Sequence, residues 1–555
     1  MLKYVENIWL YLTFAVQYAR IKLCHLLYHI KIYIGCFVEH QINTCCGVLY
    51  LDDIYSYHTF LFPFAWEDDS VNMLTVFRNE NAENIWTVAD TAIQSSNFSR
   101  AVFLGDMNPT EYNEFHFFNE AARNLIFPDE SGLVHNFRVK NDIVSGTQYI
   151  ITKGCNKYTL DISNILLHIF STGIAIIEIK CRNRQHRNLK AVKEINEYGR
   201  RIAMPFWPGN SGFSKCADLL ELKGPHINER DDFCSYRNEK VSFCYVSKVL
   251  RCLLNKNGSG RVFRAKYTDK KNEIQIRTIV DEKMYDCCLI YDKTFADSLI
   301  NSYETNDGSF DRESEAELAE LLYVETDEGY HNKNIRTVKE KLYGCLYLDE
   351  FTTGNPKLTA ISDQAYIKLI GKPDYDVEYF DKIYTKVIIL GIAQRMSLAK
   401  FSTRINKWTD TLGSSGKKIT MNKVNSVMRL QKQFVTFQNQ YALSEVTVKS
   451  EGRFIYDSIR EKLNIQAEYA DITGQINSLY ELVSTAQGNA FNKWGLALSL
   501  IAMELSVTGH LITADDVTHL SFLSYGGTLV LAIEGIIAAI TIWLVTGVIF
   551  NRKGK

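Results

Sequence analysis

Six small or hydroxyl-bearing residues recur near the carboxyl terminus at spacings of four, three, four, three and four: Gly495, Ser499, Ala502, Ser506, Gly509 and Thr513. On a helix this spacing predicts a single stripe of small side chains. In an oligomer, the stripe would line a narrow pore and offer hydroxyl oxygens to ions. The alternative is close helix packing, because small residues let two backbones approach. The residues alone leave both interpretations open.

Four carboxylates lie near this stripe. Glu504 and Glu534 are the two charges within the apolar stretches, at similar depth, and such carboxylates usually face a bundle interior or water. We expect them either to share a proton in permeation or gating, or to form local hydrogen bonds as neutral acids. Asp515 and Asp516 lie between the stretches, where a ring of acids would concentrate cations. A solvated turn with capping aspartates is compatible with that role.

Two apolar segments, 494–512 and 526–550, must position these residues. Each is long enough for a hydrocarbon core of about 30 Å, which needs roughly 20 helical residues. Lys493 precedes the first segment and a basic tail follows the second, whereas the connecting loop is acidic. The positive-inside rule therefore predicts a multi-pass protein of the inner (cytoplasmic) membrane, with both termini in the cytosol.

Arginines at 182, 184, 200 and 201 form a second candidate site. They belong to a basic block that follows the apolar, β-branched run 174–180, which we predict to be a buried strand. Guanidinium groups match phosphate geometry bidentately, so Arg182, Arg184, Arg200 and Arg201 are candidates for binding an anionic ligand. The alternative is a solvated helix face. Further strands are predicted near 261–267, 273–280 and 287–291.

Composition narrows the classes of function. The 62 basic and 64 acidic residues nearly balance, so no global field favours direct binding of nucleic acid. The 13 cysteines include no Cys-x-x-Cys pair and are predicted to be reduced, mostly buried thiols. Gly413-Ser-Ser-Gly-Lys417 lacks the spacing of a phosphate-binding loop, and no hydrolase motif is present. We therefore predict that the protein is not an enzyme.

The pattern along the chain turns helical from about residue 379, with a second helix at about 422–441. The predicted fold class is an α+β membrane protein with an N-terminal α/β cytosolic domain, a long-helix stalk and two C-terminal transmembrane helices. The first 48 residues are predicted to be an amphipathic or buried extension, with a membrane-surface helix as the alternative. The predicted domains are 1–48 (extension), 49–345 (cytosolic α/β), 346–465 (helical), 466–493 (stalk), 494–550 (transmembrane) and 551–555 (basic tail).

Four segments resemble the bacterial CorA-like membrane proteins, in particular their divergent, large-bodied branch: YHTFLFPFAW at 57–66, FSTG at 170–173, INEYGRRI at 195–202 and AQRMSLAKFS at 393–402. The resemblance covers about residue 50 to the end and includes the order of domains. It implies a homopentameric funnel whose first membrane helix lines the pore, which favours the pore interpretation of the small-residue stripe. Gly509-His510-Leu511 stands where CorA magnesium channels have Gly-Met-Asn, so magnesium selectivity is not expected.

The function implied by the resemblance is a homo-oligomeric ion channel or transporter gated by its cytosolic domain. Some large CorA-like proteins are encoded with type III CRISPR systems, and membership would imply an antiviral effector. Such an effector would be opened by a nucleotide messenger made from S-adenosylmethionine and ATP. The expected partners are the membrane, further copies of the chain and this messenger; the expected ligands are the adenine nucleotide and a divalent cation. The alternatives are an ordinary magnesium transporter and a membrane-anchored receptor or scaffold without a pore.

Overall fold

The structure is a computed structural model. It describes residues 54–66, 73–78, 84–89, 109–127, 132–202, 216–234, 246–255, 262–264, 273–278, 283–326, 340–348, 355–372, 375–413 and 421–485.

One large mixed sheet organises the described chain. Its main path runs β12-β13-β14-β11-β1-β6-β5-β4-β7-β8, and β2, β3, β9 and β10 attach beside it. The strands are β1 Ser56–Trp66, β2 Trp86–Val88, β3 Val134–Val139, β4 Gln148–Lys153, β5 Asn156–Phe170, β6 Ile174–Asn183, β7 Leu219–Lys223, β8 Asn228–Asp232, β9 Val262–Arg264, β10 Glu273–Arg277, β11 Tyr285–Tyr291, β12 Leu346–Tyr347, β13 Lys357–Ile361 and β14 Ala365–Ile370.

Strand β1 lies near the centre of the sheet, and its apolar composition is consistent with that position. Its apolar residues are buried on both faces, and the strand pairs antiparallel with β6 on one side and β11 on the other. A strand buried on both faces reads as a continuous apolar run rather than an alternating one. The predicted strand at 174–180 is confirmed as β6, and β11 contains the predicted strand at 287–291.

Helices cover both faces of the sheet. They are α1 Met73–Phe77, α2 Pro109–Phe117, α3 Glu120–Ile126, α4 Asn141–Val144, α5 Leu189–Gly199, α6 Lys248–Asn255, α7 Lys293–Thr305, α8 Arg312–Tyr323, α9 Asp376–Tyr379, α10 Thr385–Gly413, α11 Met421–Gln440, α12 Ser450–Lys462 and α13, 465–485. A π-helical turn, Phe380–Tyr384, joins α9 to α10. Helices α5, α7 and α8 share their cores with one face of β11 and β14. Charged side chains from the π-helical turn and α12 meet the opposite face.

The described residues divide into two compact units. The first comprises the sheet with its helices as far as Lys400, together with Asn439–Ala467. The second contains Phe401–Gln438 and the residues from Glu468 onward. Aromatic rings of α10, α11 and α13 form the core of the second unit, where Phe434 contacts Phe401, Phe437 and Tyr469.

The predicted fold class, an α+β membrane protein with a stalk and two transmembrane helices, is wrong. The described residues form one large mixed sheet with flanking helices, and none of their helices is long and apolar enough to cross a membrane. The 29-residue α10, for example, carries Lys386, Arg395 and Lys400 among its apolar residues. The same finding contradicts the predicted multi-pass localisation in the inner membrane. Segments 494–512 and 526–550, on which both predictions rested, lie outside the described residues.

Gly391 allows α10 to pack closely on α12. A Cβ added at this position would lie 2.7 Å from Ile459 Cγ2. The Ile459 side chain is fully buried, so the added methyl group would force neighbouring atoms to shift. We expect Gly391→Ala to lower the free energy of unfolding by roughly 1–3 kcal/mol, the usual cost of overpacking. Gly474→Ala is the control, since nothing lies within 4 Å of its added Cβ. There the helix propensity of alanine should raise stability slightly. Urea unfolding of both variants measures the contrast, and equal shifts would refute the close packing.

Candidate functional site

The chemistry-bearing residues of the basic block begin on β6. Side chains alternate across a strand, so Glu178, Lys180 and Arg182 project from the same face. Strand β1 places Tyr57 directly beside Arg182 on this face. Arg184 follows the strand and lies with its Nε 3.4 Å from the carboxylate of Asp161 on β5. We call Tyr57, Lys180, Arg182 and Arg184 the β6 basic cluster.

Lys180 joins the sheet to the π-helical turn. Its Nζ lies 3.1 Å from Asp381 Oδ1 and 3.4 Å from Glu178 Oε1, and it also donates a hydrogen bond to the carbonyl of Asp381. Burial by itself lowers the pKa of Lys180, but Asp381 and Glu178 outweigh it, so the pKa is raised and the amine stays charged. One ammonium group therefore holds a strand and a helical turn together.

The outer part of the cluster is open to solvent. Arg182 is exposed, and within the described residues it forms no ion pair. Burial raises the pKa of the Tyr57 phenol; Arg182 and Arg184 oppose that rise and Asp381 adds to it. The register of β1 on β6 places Tyr57 next to Arg182. An exposed guanidinium beside a phenol and a second arginine suits a phosphate or carboxylate group, because such contacts are charge-assisted and bidentate.

Two side chains of the π-helical turn contact neighbouring elements, one on the sheet and one on α12. Asp381 reaches Lys180, while the hydroxyl of Tyr384 donates to Glu451 Oε2 at 2.5 Å. π-helical turns are rare and frequently occur at functional sites, because the extra residue redirects side chains. Here the turn lies at the start of α10. The contact with β6 and the contact with α12 therefore both act at the start of that helix.

A second group of charges lies deeper, beside β13 and β14. Lys357 and Lys368 both approach the fully buried Asp376, at 2.5 Å and 3.3 Å, and Lys368 also pairs with Glu451. Burial by itself lowers the pKa of Lys368, but Glu451 and Asp376 outweigh it and raise the pKa. We call Lys357, Lys368, Asp376, Glu451 and Tyr384 the buried ionic network. Its members link two strands to α9, the π-helical turn and α12.

The other two predicted arginines lie elsewhere, at the carboxyl end of α5. Arg200 is 2% exposed and donates a hydrogen bond to the side chain of Gln364. Arg201 Nη2 lies 3.1 Å from Glu197 Oε1, one helical turn earlier. The structure therefore brings Arg182 and Arg184 together and separates them from Arg200 and Arg201, which face α5 and the loop before β14.

Sequence reasoning missed Tyr57, Asp381 and the whole buried ionic network. Tyr57 was detectable, because it belongs to a strand-like segment whose alternation puts it on a charged face. Asp381 had no signal, since it is an ordinary acid at the start of a helix. The predicted pore and acid residues, Gly495, Ser499, Ala502, Glu504, Ser506, Gly509, Thr513, Asp515, Asp516 and Glu534, lie outside the described residues.

Among the described side chains, no group of three or more His, Cys, Asp or Glu residues is placed to hold a metal ion. No protein-family model matches the chain, and no curated protein sequence matches it. The resemblance to CorA-like proteins and the oligomeric state that it implies stay predictions.

Proposed function

We propose that this chain is a non-enzymatic receptor whose β6 basic cluster binds an anionic, phosphate-bearing ligand. Binding is passed to the start of α10 through Asp381. The observation that supports this proposal is the position of Lys180. It is shared between the sheet and the π-helical turn and lies on the same strand face as the exposed Arg182.

The conformational response arises because the ligand phosphate and the Asp381 carboxylate compete for Lys180. A phosphate held by Arg182 and Arg184 would offer Lys180 oxygen atoms in place of the Asp381 carboxylate. Exchange of one anion for another avoids leaving a buried ammonium unpaired, which would be strongly unfavourable. The ligand then favours the state in which Asp381 is released, and this differential affinity shifts the conformation of the turn.

An adenine-nucleotide messenger, as the CorA resemblance implies, is one ligand of this chemistry. Tyr57 adds an aromatic ring beside the two arginines, on which a base could stack. The ion-channel activity implied by the same resemblance depends on residues outside the described ones, and it stays a prediction.

Binding of inorganic pyrophosphate and of ATP to the full chain tests the proposal by isothermal titration calorimetry. Arg182→Gln should lower the affinity for pyrophosphate and for ATP by about tenfold or more, because it removes one charge-assisted contact. Arg312→Gln is the matched control, since Arg312 is an exposed arginine at the start of α8. Equal losses in the two variants, or no binding by the unaltered protein, would refute the β6 basic cluster as the site.

A further inference from the structure

The turn that joins β5 to β6, residues 171–173, contacts α10. Thr172 Oγ1 lies 2.8 Å from Ser397 Oγ, and Lys400 Nζ donates a hydrogen bond to the carbonyl of Gly173 at 2.8 Å. Ser397 and Lys400 are three residues apart, so they are neighbours on the surface of the helix. We call Ser171, Thr172 and Gly173 the β5–β6 turn. Two adjacent residues of this turn therefore hold two successive positions of α10.

Gly173 makes this close approach possible. Its φ is +84°, a backbone conformation that residues with a side chain rarely adopt, and a Cβ added here would collide with Lys400 Nζ. Lys400 is 6% exposed, and its Nζ also lies 5.1 Å from the centroid of the Trp66 ring at the end of β1. The end of the Lys400 side chain therefore contacts both β1 and the β5–β6 turn.

Tyr441, in the segment after α11, connects the same turn to α10 a second time. Its hydroxyl donates to the carbonyl of Leu133 at 2.5 Å and lies 2.8 Å from Ser171 Oγ. Its own carbonyl accepts a hydrogen bond from Gln394 Nε2 at 2.6 Å. Gln394 lies three residues before Ser397, and both side chains are buried. The contacts of α10 with this end of the sheet therefore extend over two helical turns.

The start of α10 is attached to the sheet in a different way. There Asp381 pairs with Lys180, and the Asp381 side chain is 43% exposed. From residue 174 to residue 180, β6 spans about 20 Å, and from residue 385 to residue 400, α10 rises about 22 Å. These lengths match, so the helix follows β6 with one attachment near each end. The first is a partly exposed ion pair, and the second consists of buried contacts with hydroxyl and carbonyl groups.

We propose that the β5–β6 turn is the fixed anchor of α10, about which the start of the helix moves when the β6 basic cluster binds its ligand. The movement rests on the function proposed above, whereas the anchor does not. A phosphate can replace the Asp381 carboxylate on Lys180, since both are anions. It cannot replace the contacts of Ser397 and Lys400, because these lie about 20 Å away along β6. Gln394, Ser397 and Lys400 are therefore positioning residues that fix where α10 lies on the sheet.

Hydrogen exchange of the full chain, followed by mass spectrometry, tests the anchor without any ligand. Lys400→Met keeps the apolar stem and removes the hydrogen bond to Gly173, so the amides of residues 391–400 should exchange about tenfold faster relative to those of β11. Ser397→Ala should change the same amides to a smaller extent. Lys432→Met is the matched control, because Lys432 is exposed on α11. Unchanged exchange of residues 391–400 in both anchor variants would refute the anchor.

Exchange in the presence of inorganic pyrophosphate tests the movement. In the unaltered protein, pyrophosphate should change the exchange of residues 376–386 and leave residues 391–400 unchanged. In Lys400→Met the change should extend into residues 391–400, because the anchor no longer confines it. A change in residues 391–400 of the unaltered protein would overturn the fixed anchor, and pyrophosphate binding with no change in residues 376–386 would overturn the movement. Absence of any binding would refute the receptor function, and the movement with it, but would leave the ligand-free result standing.

Discussion

Asp376→Ala should lower the free energy of unfolding by about 3–5 kcal/mol, the typical cost of removing one partner from a buried ion pair. Asp376 is fully buried and is the carboxylate that Lys357 and Lys368 share. Truncation removes the carboxylate that both lysines approach, while Lys368 keeps its contact with Glu451 and Lys357 keeps its contact with Tyr375. The expected loss therefore comes mainly from removing a buried carboxylate from between two ammonium groups.

Glu378→Ala provides the matched control for this experiment. Glu378 lies two residues away on the same short helix and pairs with Lys382 at 3.2 Å, but its side chain is 47% exposed. An exposed pair of this kind contributes less than about 1 kcal/mol. Urea unfolding of the full chain, followed by tryptophan fluorescence, measures both variants. Similar small changes in the two would contradict the burial of the ionic network.

A double variant separates charge from shape. Replacing Asp376 and Lys357 together by leucine and methionine removes both charges and keeps apolar volume. Buried ion pairs are often replaced in this way at little cost, or even with a gain, because their desolvation offsets their attraction. We expect the double variant to be more stable than Asp376→Ala. The network would then be retained for specifying the position of the π-helical turn rather than for stability.

Asp286→Asn should stabilise the protein at alkaline pH and change little in mild acid. Asp286 on β11 is fully buried, and neither carboxylate oxygen accepts a hydrogen bond from a described residue. Burial raises its pKa to about 7, although Arg200 opposes the rise. The carboxyl group is therefore neutral in the folded chain over a pH range in which it is ionised in the unfolded chain.

The sign of the pH effect follows from the bound protons. Between about pH 4 and 7 the folded state holds one more proton at Asp286 than the unfolded state, so stability falls as pH rises. Over about three pH units this corresponds to roughly 4 kcal/mol at most. Asparagine does not titrate, so the difference in unfolding free energy between Asp286→Asn and the unaltered protein should grow across this range and level off above about pH 7.

Asp363→Asn is the control for this titration, because Asp363 is exposed in the turn between β13 and β14. The two variants make the same chemical change at a buried and at an exposed position, so the contrast between them isolates the effect of burial. Urea unfolding at several pH values gives the three curves. A constant difference for Asp286→Asn would show that its carboxyl group titrates alike in the folded and unfolded chains.

Local patterns predicted several elements of the sheet and the long helices. The β-branched run at 174–180 became part of β6, and the periodic segment at about 422–441 corresponds to α11, Met421–Gln440. The basic block was also visible as a composition shift next to a strand. These features depend on residues that are close together in the chain, because the hydrophobic period and the residue propensities of a short segment determine whether it forms a strand or a helix.

The sequence by itself determined that Glu178, Lys180 and Arg182 share one face of β6, because alternation follows from strand geometry alone. Only the tertiary structure decided which acidic side chain pairs with each lysine. Asp381 reaches Lys180 from 201 residues away, and Glu451 reaches Lys368 from 83. Such pairs depend on the order of strands in the sheet and on which face each helix covers, and neither is encoded in a local spacing. The buried ionic network and the position of Arg200 could therefore not be predicted, whereas the strand that carries Arg182 could.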